Sequence, residues 1–366
     1  MFDLNKTILL SDQSSDESIK DVINDMIAQR STGTPLKYDE SLDDVQRLMN
    51  SDEIDERIHC FHRFHSSGMK DLITYYDYIK KLYDPEKYKN EKNYSSIKKE
   101  LEKRIKFALY NYTNKGFPGK DLSDEFNDIL KKMERMVPIG DDDHGKYYYI
   151  LPAFYEFVLH LHKNFKNGGP DFKIVFRTFG EDITDVMKEF NDFCNGKHPD
   201  YPNVELNGKN GSKDIRLTLQ NIGHFYFEGT DVDNYSCMLI KATNDSNPII
   251  NDANDIYKEM TDVNGGTLAI KDHYQWWDKH NRTYHAGKLM LFNEKKDDGI
   301  FQLFFDDNVH TKDKKKDGGI LNIRSSNTGK SVALSELLGD HVHHVDPMHV
   351  IKDKNYFIRR LPLTTV

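Results

Sequence analysis

Apolar residues recur at helical spacing through most of the first 150 residues. Ile19, Val22, Ile23, Met26 and Ile27 repeat at i, i+3, i+4, i+7 and i+8 behind the polar run "SSDES", which predicts a capped helix. Further helical stripes run through Ile58, Phe61, His62 and His65, then Met69, Leu72, Ile73, Tyr76 and Ile79. Two more follow at Ile97, Leu101 and Ile105, and at Phe126, Ile129, Leu130 and Met133. Loops such as "NKGFPGKD" and "PIGDDDHG" separate them.

The period changes near residue 147. Pro152 opens a helix whose apolar face holds Phe154, Phe157, Val158, Leu161 and Phe165, and Gly168-Gly169-Pro170 ends it. "FKIVFRT" then reads as a strand ending in Thr178, and "EDITDVMKEFNDFC" as the next helix. This alternation predicts an α/β fold built on a parallel sheet flanked by helices. From about 200 to 262 the chain is polar and hairpin-like, with candidate strands "IRLTL", "HFYFEG" and "SCMLIKA". "GGTLAIKDHYQWWDKH" returns to strand then helix. "GIFQLFFDDN" reads as a buried strand ending in two aspartates. "GGILNIRS" predicts a strand, "SVALSELL" a short helix and "HVHHVD" a last strand, with His341 and His343 facing solvent.

Composition narrows the possibilities. The length of 366 residues allows two or three domains, and 51 basic against 60 acidic residues give a formal charge of −9 with the signs interspersed. That balance argues against a nucleic-acid partner, and the lysine-rich Lys87–Lys106 segment carries enough Glu to read as a solvated helix face. Cys60, Cys194 and Cys237 form no C-x-x-C pair, so neither a disulfide framework nor a thiolate zinc site is expected. No basic, apolar leader and no long apolar run is present, so a cytoplasmic protein with no membrane segment is expected. Asn281-Arg282-Thr283 is then a chance glycosylation match.

Three predicted strand ends carry small polar or acidic groups: Asp3 with Asn5 and Thr7, Thr178, and Asp306 with Asp307. Ligands of open α/β sheets bind at the carboxyl ends of parallel strands. Clustered carboxylates there make a hard-oxygen site suited to Mg²⁺, and an ionised Asp among them can act as a nucleophile. In order and placement these residues resemble the motifs of the haloacid dehalogenase superfamily. "DLNKT" matches D-x-D-x-T at Asp3 and Thr7, "KIVFRT" supplies the Thr of the second motif, and "FQLFFDD" the acidic pair of the fourth.

The resemblance implies a Rossmannoid core formed by residues 1–14 and 147–366, with residues 15–146 inserted as an α-helical cap. It implies Mg²⁺-dependent phosphoryl hydrolysis through Asp3, acting on a small phosphorylated molecule or a phosphoprotein. Asp3, Asn5, Asp306 and Asp307 would hold the metal, Asn5 through its backbone carbonyl. Thr178 and a lysine would hold the phosphoryl group. Lys288 is the chosen lysine, with Lys271 and Lys279 as the others in range. Two departures stand out. The second Asp of the first motif is Asn5, which cannot exchange a proton, so a binding scaffold without turnover is the alternative function. Only Met1 and Phe2 precede Asp3, where about four or five apolar residues are usual, so the first strand is either very short or truncated.

Rival motifs are weaker. "RSSNTGKS" imitates a phosphate-binding loop, but Arg324 stands where the first Gly is needed and little chain follows Lys330. The histidines at 59, 62 and 65, and at 341, 343, 344 and 349, lack acidic or Cys partners at telling spacing for zinc. Trp276 and Trp277 fit an aromatic helix packed on the sheet, and Asp272 follows a strand that approaches the same end of it.

Overall fold

The computed structural model describes residues 1–10, 17–37, 55–64, 72–140, 143–232, 234–241, 249–295, 298–309 and 319–362. The chain divides into two compact units, one of residues 1–16 with 135–366 and one of residues 17–134. The predicted insertion runs to residue 146; in the structure residues 135–146 group with the first unit. Arg135 explains the difference. Its guanidinium donates to Glu189 at 2.9 Å and to the Tyr147 carbonyl at 3.0 Å, and it lies 3.1 Å from His198.

The first unit opens with strand β1 (Phe2–Asp3), and the chain then leaves it for the second unit. There α1 (Ile19–Arg30) starts at a capping box between Ser18 and Asp21. Strands β2 (Thr32–Pro35), β3 (Phe61–Arg63) and β4 (Ile73–Thr74) form a small antiparallel sheet in the order β3-β2-β4. Helices α2 (Tyr75–Leu82), α3 (Tyr94–Tyr110) and α4 (Ser123–Met133) complete it. The helical stripe expected from Ile58 is corrected. Glu56–His59 is a single 3₁₀ turn capped by Asp55, and His62 lies on β3. Phe61 draws that segment into extended form by packing on Tyr75 and Tyr78, ring centroids 5.3 and 5.5 Å away. His65 and Met69 lie outside the described residues.

On its return the chain makes one turn, α5 (Asp143–Lys146), and then helix α6 (Pro152–Lys166) with Pro in its first turn. It continues through β5 (Val175–Thr178), α7 (Ile183–Cys194), β6 (Ile222–Asp231), β7 (Asn234–Lys241) and β8 (Ile249–Ile250). Next come α8 (Ala253–Thr261), β9 (Leu268–Lys271), α9 (Tyr274–Lys279), β10 (Lys288–Phe292) and β11 (Phe304–Asp306). The last elements are β12 (Leu321–Ser325), β13 (Val342–His344) and α10 (Pro347–Lys352). An eight-stranded sheet runs β13-β11-β1-β5-β9-β6-β7-β8, with β10 and β12 as a separate parallel pair. The neighbours from β13 to β6 are parallel; only the β6–β7 and β7–β8 pairs are antiparallel. The expected polar hairpin thus extends a mostly parallel central sheet flanked by helices.

Strand β1 is hydrogen-bonded on both sides and packed through Phe2. The Phe305 amide donates to the Met1 carbonyl at 3.0 Å, and the Leu4 amide to the Arg177 carbonyl at 3.1 Å. Phe2 sits among Phe154, Phe157, Phe305 and Phe357, with ring centroids 5.1, 5.4, 4.9 and 5.2 Å away. Burying such a ring is worth about 1.5–3 kcal/mol, which a short strand at the sheet's centre needs.

Other local expectations fail for identifiable reasons. "IRLTL" is not a strand, because the Leu217 amide and carbonyl both pair with the Asn191 side chain of α7, at 2.9 and 2.8 Å. "SVALSELL" shortens to a 3₁₀ turn at Leu334–Glu336. His341 and His343 are buried rather than solvent-facing. The His341 ring shares a hydrogen bond with the Gln302 carbonyl at 2.8 Å, and His343 stacks on Phe305. Burial pushes the His343 pKa down to about 4. "RSSNTGKS" doubles back after β12, the Ser325 amide donating to the Lys330 carbonyl at 2.8 Å, so no helix N-terminus follows to receive a phosphate.

Candidate active site

From β1 the sheet is built outward in both directions, through β5 and β9 on one side and through β11 and β13 on the other. Such a reversal of strand order opens a crevice at the carboxyl ends of the strands. The register puts three predicted residues at that level. Phe2 pairs with Phe305, which aligns Asp3 with Asp306, and Asp3 pairs with Arg177, one residue before Thr178. The chain turns sharply straight after β1. The Leu4 carbonyl accepts from the amides of Thr7, Ile8 and Leu9 at 3.3, 3.0 and 2.9 Å, and Lys6 adopts a left-handed φ of 56°. This turn keeps Asn5 and Thr7 beside Asp3 instead of carrying them away along a longer strand.

Lys288 begins β10, and its side chain is buried between carboxylates from two sheet strands. The ammonium donates to Asp3 Oδ1 and, at 2.8 Å, to Asp306 Oδ2. The Phe179 ring lies 5.4 Å from the same nitrogen. Burial alone pulls an ammonium's pKa down, but the charges of Asp3 and Asp306 outweigh it and hold Lys288 above the ordinary lysine range. The alternatives are engaged elsewhere. Lys271 pairs with Glu181, and Lys279 lies over the Trp276 ring.

One oxygen from each of Asp3, Asp306 and Asp307 falls within 4.8 Å of the others. A magnesium ion with Mg–O distances of about 2.1 Å places opposite ligands about 4.2 Å apart, so this donor set fits such an ion with little movement. Lys288 stands among three carboxylates, with Lys6 acting on Asp307 as well. Burial, opposed by Lys288 and reinforced by Asp306, raises Asp3 well above the usual carboxylate range. Burial and the neighbouring Asp306 push Asp307 up to about 7. The cluster therefore carries surplus acidity that a divalent cation would relieve.

On the other flank, the Thr178 hydroxyl accepts from the Gly180 amide at 2.8 Å, a local turn that holds the loop after β5 against the site. A Cβ at Gly180 would stand 2.7 Å from Asp182 Oδ2, 3.3 Å from Thr178 Oγ1 and 3.5 Å from Asn5 Nδ2. A side chain there would displace the Asp182 carboxylate. Asn5 donates to Asp182 Oδ2 at 3.1 Å, while its own Oδ1 and the Thr7 hydroxyl are buried with no hydrogen-bond partner among the described residues. Unsatisfied buried acceptors are uncommon and mark places where a ligand, water or ion completes the set.

Sequence reasoning missed Asp182, Gly180 and Arg177. Arg177 is fully buried beneath the site and grips Asp272 through two nitrogens, one at 3.1 Å, while a third bond of 2.8 Å reaches the Leu289 carbonyl. Asp272 is held in this pair and is not one of the three carboxylates grouped to hold a metal ion, though its charge also reaches Lys288. A charged residue inside the apolar run "FKIVFRT" was the available signal, since a buried cation demands a partner. Through Leu289 the guanidinium also ties β10, outside the main sheet, to the strands that carry the acids. Asp272→Ala should strand Arg177 and lower the unfolding free energy by about 3–5 kcal/mol, measured by urea denaturation.

Comparison with protein-family models, with curated proteins and with solved structures returned no match to this chain. Among the described residues no helix is long and apolar enough to cross a membrane, and the acidic trio is the one group of His, Cys, Asp or Glu side chains arranged to hold a metal ion.

Proposed function

We propose that the chain is a magnesium-dependent phosphohydrolase of the haloacid dehalogenase type, acting through Asp3. The observation that carries this reading is Lys288 bound to both Asp3 and Asp306 at the carboxyl ends of adjacent parallel strands, with Asp307 beside them. A cation fixed against a buried carboxylate is what a nucleophile needs if it is to approach a dianionic phosphate.

In this mechanism an Asp3 oxygen attacks phosphorus, the phosphorus–oxygen bond of the ester breaks, and the alcohol leaves. Water then attacks the aspartyl phosphate, freeing phosphate and restoring the carboxylate. Lys288 neutralises charge on Asp3 and on the transferring group, and Thr178 offers its hydroxyl hydrogen to a phosphoryl oxygen. Asp3, Asp306, Asp307 and the Asn5 carbonyl would hold magnesium, which supplies positive charge against the phosphoryl oxygens. Small phosphorylated molecules and phosphoproteins are the substrate classes in view.

A scaffold that binds phosphate and magnesium without turnover is the second reading, favoured by Asn5 where an acid is expected. A panel of phosphate esters assayed with and without magnesium separates the two. Metal-dependent phosphate release supports the hydrolase. Calorimetric magnesium binding with no release on any ester supports the scaffold, and absence of both removes the site altogether.

A further inference from the structure

Asn5 leaves the proposed reaction without a proton donor at the position where its resemblance would put one. The structure places another carboxylate in hydrogen-bond contact with the Asn5 side chain. Asp182, buried at the start of α7, has one carboxylate oxygen fixed 3.1 Å from the Asn5 amide nitrogen. The loop that carries it returns beside Thr178, and the space that a Cβ on Gly180 would fill lies 2.7 Å from Asp182 Oδ2, 3.3 Å from Thr178 Oγ1 and 3.5 Å from Asn5 Nδ2. A carboxyl group delivered from β5's side of the crevice thus adjoins both first-strand and second-strand site residues.

We propose that Asp182 is the general acid and base of this site, with Asn5 as the residue that positions it. The proposal rests on the phosphoryl-transfer reading above. In the first step the Asp182 carboxyl gives its proton to the leaving alcohol's oxygen as the ester bond breaks and the Asp3–phosphorus bond forms. In the second, the Asp182 carboxylate takes a proton from water as that water attacks the aspartyl phosphate. Phosphate departs, Asp3 is again a carboxylate, and Asp182 is again protonated. Asn5 fits this role because an amide N–H donates to a carboxylate oxygen without competing for its proton. The Asn5→Asp exchange would instead set two carboxyls against each other.

General acid help matters only when the leaving group is basic, which gives a test that a structural role for Asp182 would not pass. Wild type, Asp182→Asn and Asp3→Asn are compared on para-nitrophenyl phosphate, whose leaving group needs no proton, and on glycerophosphate, whose leaving alkoxide does. Asp182→Asn should lower kcat/KM for glycerophosphate by roughly 10²–10⁴-fold and for the nitrophenyl ester by less than about tenfold. Phosphorylated Asp3 should accumulate during nitrophenyl turnover, because water attack has lost its base. Adding Asn5→Asp to Asp182→Asn should restore part of the glycerophosphate rate. Equal losses on both esters, or no loss on glycerophosphate, overturn the role of Asp182 while leaving Asp3 as nucleophile. Full activity in Asp3→Asn, or none in wild type, overturns the phosphoryl reading and this role with it.

Discussion

Asp3→Asn is expected to abolish phosphate release, on the order of 10⁴-fold or more, while the protein stays folded. Loss of a covalent nucleophile is among the largest effects a single substitution produces. The amide matches the carboxylate in size, so the tight turn closed by the Leu4 carbonyl has no steric reason to open. Stability should change little, because Lys288 keeps its 2.8 Å bond to Asp306 and one of three crowded carboxylates is gone. Magnesium affinity should also fall, as the donor set loses one of its three anionic oxygens. Steady-state phosphate release and calorimetry on the same preparations read both effects. An Asp3→Asn protein that still turns over within tenfold of wild type would remove Asp3 as nucleophile, whatever the metal does.

The residues legible in the sequence share one property: each ends a short apolar run. Asp3, Thr178 and Asp306 are marked by that punctuation, and strand register then aligns them. Lys288 was legible only as one of several lysines. What singles it out is a contact across 285 residues of chain, which no local pattern encodes. The same limit hid Asp182. It reads as an acidic residue at the start of a helix, and the Asn5 bond that gives it meaning spans 177 residues. His341 and His343 fail in the opposite direction. Their alternation is sound strand logic, but Phe292 and Phe301 pack on His341, and Phe305 on the neighbouring strand stacks on His343. Leu217 shows how a side chain can replace a strand partner. Asn191 satisfies both its backbone groups, so a β-rich run stays out of the sheet.

The arrangement beneath the site explains how a lysine outside the main sheet reaches its centre. Lys288 opens β10, whose only strand partner among the described residues is β12. Arg177 lies on β5, opposite Asp3 in the register, and binds the carbonyl of Leu289, the residue after Lys288. The Arg177–Asp272 pair is therefore a brace between the sheet and the strand that delivers the ammonium. Its planar fork makes several bonds in fixed directions, a task for which lysine is a poor substitute.

Lys288→Met is expected to give the second large effect, and to give it first in stability. The thioether side chain fills similar volume, but Asp3 and Asp306 would then face each other, buried, with no cation between them. Removing one partner of a buried ion pair costs about 3–5 kcal/mol, because an uncompensated charge remains. The two carboxyls can escape part of that cost by taking up a proton. A proton-uptake penalty grows as pH rises, so the deficit relative to wild type should be larger at pH 8 than at pH 6. A divalent cation offers the other escape. Magnesium at 100 times its dissociation constant stabilises a folded state by about 2.7 kcal/mol. The variant should therefore recover much of its deficit in saturating magnesium, measured by urea denaturation, while phosphate release stays lost because the transferring group has no ammonium to meet it. If Lys288→Met unfolds like wild type with and without magnesium, the two carboxylates are not held together by that lysine, and the charge balance proposed for the site is wrong.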